Sequence, residues 1–195
     1  MTLQPEIILA SASPRRKELL AQAGFQFRVQ PSGIAEVRGE NESPIPFVTR
    51  LAREKAQDVA AKSDPNAVIL GADTVVVCDE AIFGKPTNEQ DAKRMLRALA
   101  GRTHRVITGL CAIHGSIVES AAEVTMVRML TVSDEEIEAY VATGEPMDKA
   151  GSYAIQGRAA RWIPSIQGCY FNVVGLPLAL TTAMLECVIK ARSSD

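Results

Sequence analysis

The sequence predicts an α/β protein: a mixed, twisted sheet with flanking helices. Three observations predict it. A short apolar run, Ile7–Ala10, leads straight into Ser13-Pro14 and a helical pattern. A longer apolar run, Val68–Cys78, sits between two further helical patterns. After residue 103, two strand patterns stand back to back around Gly115-Ser116. Interleaved strands and helices define the class, and the adjacent strand pair makes the sheet mixed.

The elements follow in order. Ile7–Ala10 reads as a buried strand. Ser13 is placed as an N-cap with Pro14 at the first helical position. Leu19, Leu20 and Ala23 give that helix its apolar stripe, and Gly24 stops it. Gln30 to Pro46 is polar, carries prolines and glycines, and reads as a loop. From Phe47 to Ala61, Phe47, Val48, Leu51, Ala52, Ala56 and Val59 share one helical face. Asp64-Pro65-Asn66 is a turn. Val68–Cys78 reads as one or two strands interrupted at Gly71-Ala72-Asp73-Thr74. Thr87-x-x-Gln90 has the form of a capping box for a helix that Gly101 ends. His104–Ile113 and Ile117–Leu130 are strands. Ser133-x-x-Glu136 is a second capping box, for a helix through Ile137, Tyr140 and Val141. Glu145 to Gly157 reads as a loop, Arg161–Ile166 and Tyr170–Val174 as short strands, and Pro177 opens a last helix.

Composition narrows the function. The net charge of -2 argues against a general nucleic-acid binder. The four cysteines, Cys78, Cys111, Cys169 and Cys187, form no Cys-x-x-Cys pair. Zinc and disulfide frameworks are therefore poor readings, and reduced thiols in the cytoplasm fit better. His104 and His114 lie too far apart in sequence for a simple histidine metal centre. Any metal is then oxygen-ligated, which points to magnesium or manganese. No apolar stretch reaches the ~20 residues of a membrane helix, and no signal peptide is visible.

Several residues invite chemistry. Arg15 and Arg16 lie in a first helical turn, where the macrodipole disfavours cations. An anion held there by backbone N–H groups, Ser11, Ser13 and the arginines accounts for them. A capped surface helix with solvated arginines accounts for them as well. Asp73 interrupts a buried apolar strand and needs a partner, because an unpaired buried charge is expensive. Metal binding or catalysis supplies one, and so does capping of a strand-end turn. Gly71 beside it admits close approach of a ligand. Lys55 lies on or beside the helical stripe, as a snorkelling lysine or one aimed into a cleft. Lys85 sits in the constrained Phe83-Gly84-Lys85-Pro86 loop, and Glu36 in a polar loop; both also read as solvated. Gln156, between Ile155 and Gly157, presents an amide suited to a nucleobase edge or to its own turn.

Together these segments resemble a known family. Ser11-Ala12-Ser13-Pro14-Arg15-Arg16, Gly71-Ala72-Asp73-Thr74, Gly84-Lys85-Pro86 and Asp148-Lys149-Ala150-Gly151-Ser152-Tyr153-Ala154-Ile155-Gln156-Gly157 are similar to the motifs of the Maf family. Asn172-Val173-Val174-Gly175-Leu176-Pro177 is similar to its closing motif. The resemblance implies a single domain over residues 1–195, with a fold like that of inosine triphosphate pyrophosphatases: two lobes around a cleft. It implies hydrolysis of a nucleoside triphosphate to the monophosphate and pyrophosphate, with a divalent cation, Mg2+ or Mn2+. Asp73 matches the proton acceptor. Arg15, Thr74 and Gln156 match positions tied to substrate choice, and Lys55 and Lys85 match phosphate-side lysines. Ser11, Ser13 and Arg16 belong to the phosphate grip. Glu36 resembles a metal-side carboxylate that would act with Asp73, although Ala35 stands where the family often has aspartate. Ala154-Ile155-Gln156-Gly157 resembles the branch acting on dTTP and UTP. The alternatives are the same chemistry on 7-methyl-GTP, or a non-catalytic nucleotide-binding regulator of cell division. A homodimer is implied by resemblance alone.

Overall fold

The computed structural model describes residues 5–192. The strands are β1 (Ile7–Leu9), β2 (Phe27–Val29), β3 (Val68–Cys78), β4 (Ala81–Phe83), β5 (Thr103–His114), β6 (Ile117–Arg128) and β7 (Ser165–Gln167). The helices are α1 (Pro14–Gln22), α2 (Pro44–Ala60), α3 (Glu89–Leu99), α4 (Asp134–Val141), α5 (Tyr170–Val174) and α6 (Leu178–Arg192). Sheet order is β2-β1-β3-β5-β6-β7, with β4 beside β3. β1 runs parallel to β2 and β3, whereas the β3–β4 and β6–β7 pairs are antiparallel. The sheet is therefore mixed, as the sequence predicts.

The chain divides into two compact units. One comprises the chain up to Asp73, Thr108–Glu123 and the chain from Gly175 onward. Its core includes Ile8, Ala10, Ala52, Ala56, Val59, Ile69 and Cys111. The other comprises Thr74–Ile107 and Val124–Val174. It packs Phe83, Met95, Leu96, Leu99, Val127, Met129, Tyr140 and Trp162.

Local signals explain most boundaries. Ser13 caps α1 by accepting from the Arg16 N–H, with Pro14 in the first turn. Ser133 and Glu136 form the expected reciprocal capping box on α4. Other expectations are corrected. β3 is one unbroken strand: Leu70 pairs with Leu9, and the Ala10 N–H donates to the Leu70 carbonyl at 2.8 Å, so the ladder carries on into Gly71. The N-cap of α3 is Asn88, whose side chain accepts from the Asp91 N–H at 2.9 Å. Thr87 instead donates to the Asp91 carboxylate. α2 begins at Pro44, inside the predicted loop, because Pro suits a first helical turn. The Glu145–Gly157 stretch is no plain loop, since Glu145–Asp148 and Ala150–Ser152 are short 3-10 turns.

The two strands expected near the C-terminal part are also revised. Arg158–Trp162 is a 3-10 turn, and β7 begins only at Ser165. Tyr170–Val174 is helical despite its aromatic and β-branched residues. The buried Asn172 decides it: its amide donates to the Val106 carbonyl at 3.0 Å and to Thr125 Oγ1 at 2.9 Å. Tertiary hydrogen bonds override local propensity there. β2 and β4 span three residues each, too short to show a period.

His104 is buried on β5, with Nε2 at 2.7 Å from the Tyr153 hydroxyl. Its Nδ1 has no hydrogen-bond partner among the described residues. Burial lowers its pKa from 6.5 to about 4. Below pH 6.5 the unfolded chain gains a proton that the folded chain refuses until about pH 4. The stability contribution is therefore complete above pH 6.5 and is lost as the pH falls, by about 3 kcal/mol at pH 4. His104→Gln, which does not titrate, will show a shallower fall of urea midpoint between pH 6.5 and 4 than the wild type. Equal slopes would contradict this assignment.

Candidate active site

The first unit holds most of the predicted residues, and two of them share one lysine. α2 presents Phe47, Val48, Leu51, Ala52, Lys55, Ala56 and Val59 to the interior, so Lys55 lies within the apolar stripe. The helix sits unusually close to the strands. A Cβ on Gly71 would lie 2.1 Å from the Ala52 carbonyl oxygen and 3.0 Å from the Ala56 Cβ. A Cβ on Gly109 would lie 2.4 Å from the Val48 carbonyl. Two glycines, one in β3 and one in β5, thus seat the backbone of α2. The close neighbour of Gly71 is thus a helix, where the sequence suggests a ligand.

Side chains alternate along a strand, so Gly71 and Asp73 share a face of β3. With α2 seated on Gly71, the Lys55 ammonium reaches Asp73. Lys55 Nζ donates to Asp73 Oδ1 at 2.6 Å and to Glu36 Oε1 at 2.5 Å. The Lys55 and Asp73 side chains are only 10 % and 8 % exposed. The Glu36 side chain is about half exposed. Burial raises the Asp73 carboxyl above the ordinary carboxylate range, against the opposing pull of Lys55 and Arg16. Removing one member of such a pair costs about 3–5 kcal/mol, because it strands a buried charge.

Arg16 closes the same cluster, in a way the sequence does not reveal. Its guanidinium is buried. Nη1 donates to the Ala72 carbonyl at 2.9 Å and to Ser11 Oγ at 3.1 Å, and Nε donates to the Gly175 carbonyl at 2.9 Å. Arg16 therefore ties the start of α1 to the backbone beside Asp73 and to the Gly175 turn. Ser11 Oγ also accepts from the Ser13 N–H at 3.3 Å, which shapes the turn into α1. Burial lowers the Arg16 pKa, and Asp73 and Glu36 oppose that effect. Arg15, half-buried in the first turn of α1, lies beside it in sequence.

Thr74, Lys85 and Gln156 belong to the second unit. Thr74 is half-buried on β3, and Lys85 is exposed. The Gly84 carbonyl next to Lys85 accepts from the Gly151 N–H at 3.1 Å. Gly151 has φ 70°, and a Cβ there would lie 2.7 Å from Val76 Cγ2, so no other residue suits the position. Gln156 is exposed on a turn closed by the Gly157 N–H donating to the Ala154 carbonyl at 3.1 Å.

The donor set can be tested against a metal. No group of three or more His, Cys, Asp or Glu side chains among the described residues could hold an ion alone. Asp73 and Glu36 nevertheless converge on one nitrogen. Magnesium is commonly bound by one or two carboxylates, with phosphates and waters completing its shell. The two carboxylates fit a cation that arrives with a phosphorylated ligand.

The chain belongs to the Maf-like protein family, whose model matches residues 6–188. It is 51 % identical over 180 residues to the dTTP/UTP pyrophosphatase of Koribacter versatilis, covering 92 % of this chain and 93 % of that one. It is 54 % identical over 176 residues to the dTTP/UTP pyrophosphatase of Geobacter sulfurreducens, covering 88 % and 91 %. The Vibrio cholerae dTTP/UTP pyrophosphatase is 48 % identical over 181 residues, at 93 % and 97 % coverage. Among solved structures, a nucleoside-triphosphatase / dITP/XTP pyrophosphatase from Mycobacterium abscessus gives a TM-score of 0.42 at 10 % identity, covering 65 % of this chain and 75 % of that one.

The seat of α2 is open to direct test. Gly71→Ala will push the helix off β3 and lower the melting temperature by several degrees, as overpacking of about 1–3 kcal/mol does in a domain of this size. Gly33→Ala, where a Cβ meets nothing within 4 Å, serves as the control and will melt like the wild type. An unchanged Gly71→Ala melting curve would show that the contact is not tight.

Proposed function

We propose that this chain is a nucleoside triphosphate pyrophosphatase whose substrates are dTTP and UTP. It would cleave between the α- and β-phosphates to release the monophosphate and pyrophosphate. The observation that carries the reading is the buried Lys55 ammonium shared by Asp73 and Glu36. A protein that merely bound nucleotide would gain little from two carboxylates converging where a polyanion must sit. The activities of the similar proteins support the same reading.

Asp73 and Glu36 would hold a Mg2+ or Mn2+ ion, which when bound supplies Lewis-acid polarisation of the phosphoryl group. The chain's own residues do the rest. Lys55 takes Asp73 Oδ1, so Oδ2 is the oxygen left either to hold such an ion or, in its place, to accept the proton of an attacking water. A carboxyl whose proton affinity burial has raised is a better base near neutral pH than an ordinary aspartate. Arg16 fixes the backbone of Ala72 and so aims Asp73. Ser11, Ser13 and Arg15, at the start of α1, would bind phosphate oxygens with the help of the helix N-terminus, and Lys85 would bind others. Fixed cations stabilise the charge that spreads in the transition state. Thr74 and Gln156 would read the rest of the nucleotide. A uracil or thymine edge presents acceptor, donor, acceptor, and an amide matches two of these where a carboxylate only accepts.

The family match along nearly the whole chain supports one catalytic domain. The sequence pI of about 5.8 supports free nucleotides rather than nucleic acid as the substrate. No helix among the described residues is long and apolar enough to cross a membrane. We read the protein as cytoplasmic and, by family resemblance, as a homodimer.

Pyrophosphate release from UTP, dTTP, CTP and 7-methyl-GTP, with magnesium and with manganese, tests the reading. UTP and dTTP will turn over fastest. Asp73→Asn will stay folded at the assay temperature and lose at least about 100-fold in turnover. Wild-type release by that variant would remove Asp73 from the chemistry.

A further inference from the structure

We infer that Tyr140 and Glu145 are positioning residues for base selection, holding the turn that carries Gln156 by both of its feet. This rests on Gln156 reading the base, as proposed above. The geometry lies wholly within the second unit. The Tyr140 hydroxyl accepts from the Ala154 N–H at 3.2 Å and donates to Glu145 Oε1 at 2.8 Å. The Glu145 carboxylate accepts the Arg158 N–H, at 3.1 Å on Oε1 and 3.3 Å on Oε2. Ala154 and Arg158 flank Gln156 at two residues on either side. The turn between them is closed by its own Gly157-to-Ala154 hydrogen bond. One tyrosine hydroxyl and one carboxylate thereby fix where the Gln156 backbone stands.

Three further observations show that the clamp is built rather than incidental. A Cβ on Gly157 would lie 2.0 Å from Glu145 Oε1, so the turn leaves the carboxylate its place only because that residue is glycine. Tyr140 is 2 % exposed, and its ring packs edge-on against Trp162 at 5.1 Å between centroids. Burial and the Glu145 carboxylate raise the Tyr140 pKa, which keeps the hydroxyl a donor at any working pH. The hydroxyl's single proton goes to Glu145, and its lone pair goes to Ala154. Both of its roles are filled, so the loop has one satisfied arrangement. Gln156, exposed at the tip, would otherwise lie on a turn free to shift, and misplacement of a recognition group by about 1 Å can forfeit on the order of 100-fold in rate.

The test is the ratio of kcat/KM for UTP over CTP. The wild type is compared with Tyr140→Phe, Glu145→Ala, Glu145→Gln, Gln156→Ala and the double variant Tyr140→Phe/Gln156→Ala. Tyr140→Phe and Glu145→Ala will each lower the ratio about tenfold or more. Glu145→Gln keeps an oxygen that accepts from both Tyr140 and Arg158, so it will retain most of the ratio. Adding Tyr140→Phe to Gln156→Ala will lower the ratio no further, because the clamp acts through Gln156. A clamp that served folding alone would depress UTP and CTP turnover together and leave the ratio intact, which would overturn the inference. A ratio lowered by Gln156→Ala but untouched by the clamp variants would overturn it too, while sparing the base-reading role. A ratio unmoved by Gln156→Ala would overturn the base-reading role itself, and the clamp's part in selection with it. Should Tyr140→Phe fail to fold, the Glu145→Ala and Glu145→Gln pair decides by the same comparison.

Discussion

A buried ammonium with two carboxylates is the interaction on which the candidate site depends. Lys55, Asp73 and Glu36 come from a helix, a strand and the segment between β2 and α2. Neither Lys55 nor Asp73 is well accommodated there as a lone charge, because stranding a buried ion costs about 3–5 kcal/mol. The pair must therefore form as the first unit folds, and it forms only if α2 lies near enough to β3. Gly71 and Gly109 permit that distance, and Ala52 and Ala56 fill the space a larger residue would claim. Packing between backbone and backbone thus sets the position of a charge.

The arrangement has a chemical consequence. Burial of Asp73 raises its proton affinity, while Lys55 keeps the carboxylate fixed. Arg16, bonded to the carbonyls of Ala72 and Gly175, braces the backbone on one side of Asp73. Groups so restrained need little reorganisation when charge develops on a substrate. The second unit uses different means. Gln156 is exposed, and the hydrogen bonds of the Tyr140 hydroxyl and the Glu145 carboxylate define its turn. Buried ion pairs hold the proposed catalytic residues, and satisfied backbone N–H groups hold the proposed specificity residue.

How much of this was legible in the sequence depends on the range of the signal. Ser13-Pro14 and the Ser133–Glu136 box identify their helices because a cap is a local bond. Asp73 stands out because a carboxylate in an apolar run has few explanations. That Lys55 is its partner does not follow from the chain, since 18 residues and a docked helix separate them. The break expected at Gly71–Thr74 is absent for the same reason: the partner that lets Asp73 stay in a strand comes from α2. Arg16 matches a phosphate grip by motif, yet its carbonyl acceptors lie 56 and 159 residues away. Tyr170–Val174 has strand-forming side chains and is nonetheless helical, held by Asn172. Tyr140 and Glu145 gave no signal at all, because an aromatic in a helical stripe and a loop carboxylate are ordinary until their partners are seen.

The most direct measurement of the central claim is a double-mutant cycle in urea on Lys55→Met, Asp73→Asn and the pair together. A buried, mutually dependent ion pair predicts strong coupling. The double variant will then be more stable than the sum of the single losses implies, by about 2 kcal/mol, because the second change removes the charge that the first has stranded. Losses that add to within about 0.5 kcal/mol would show that Lys55 and Asp73 are held independently, and would contradict the account.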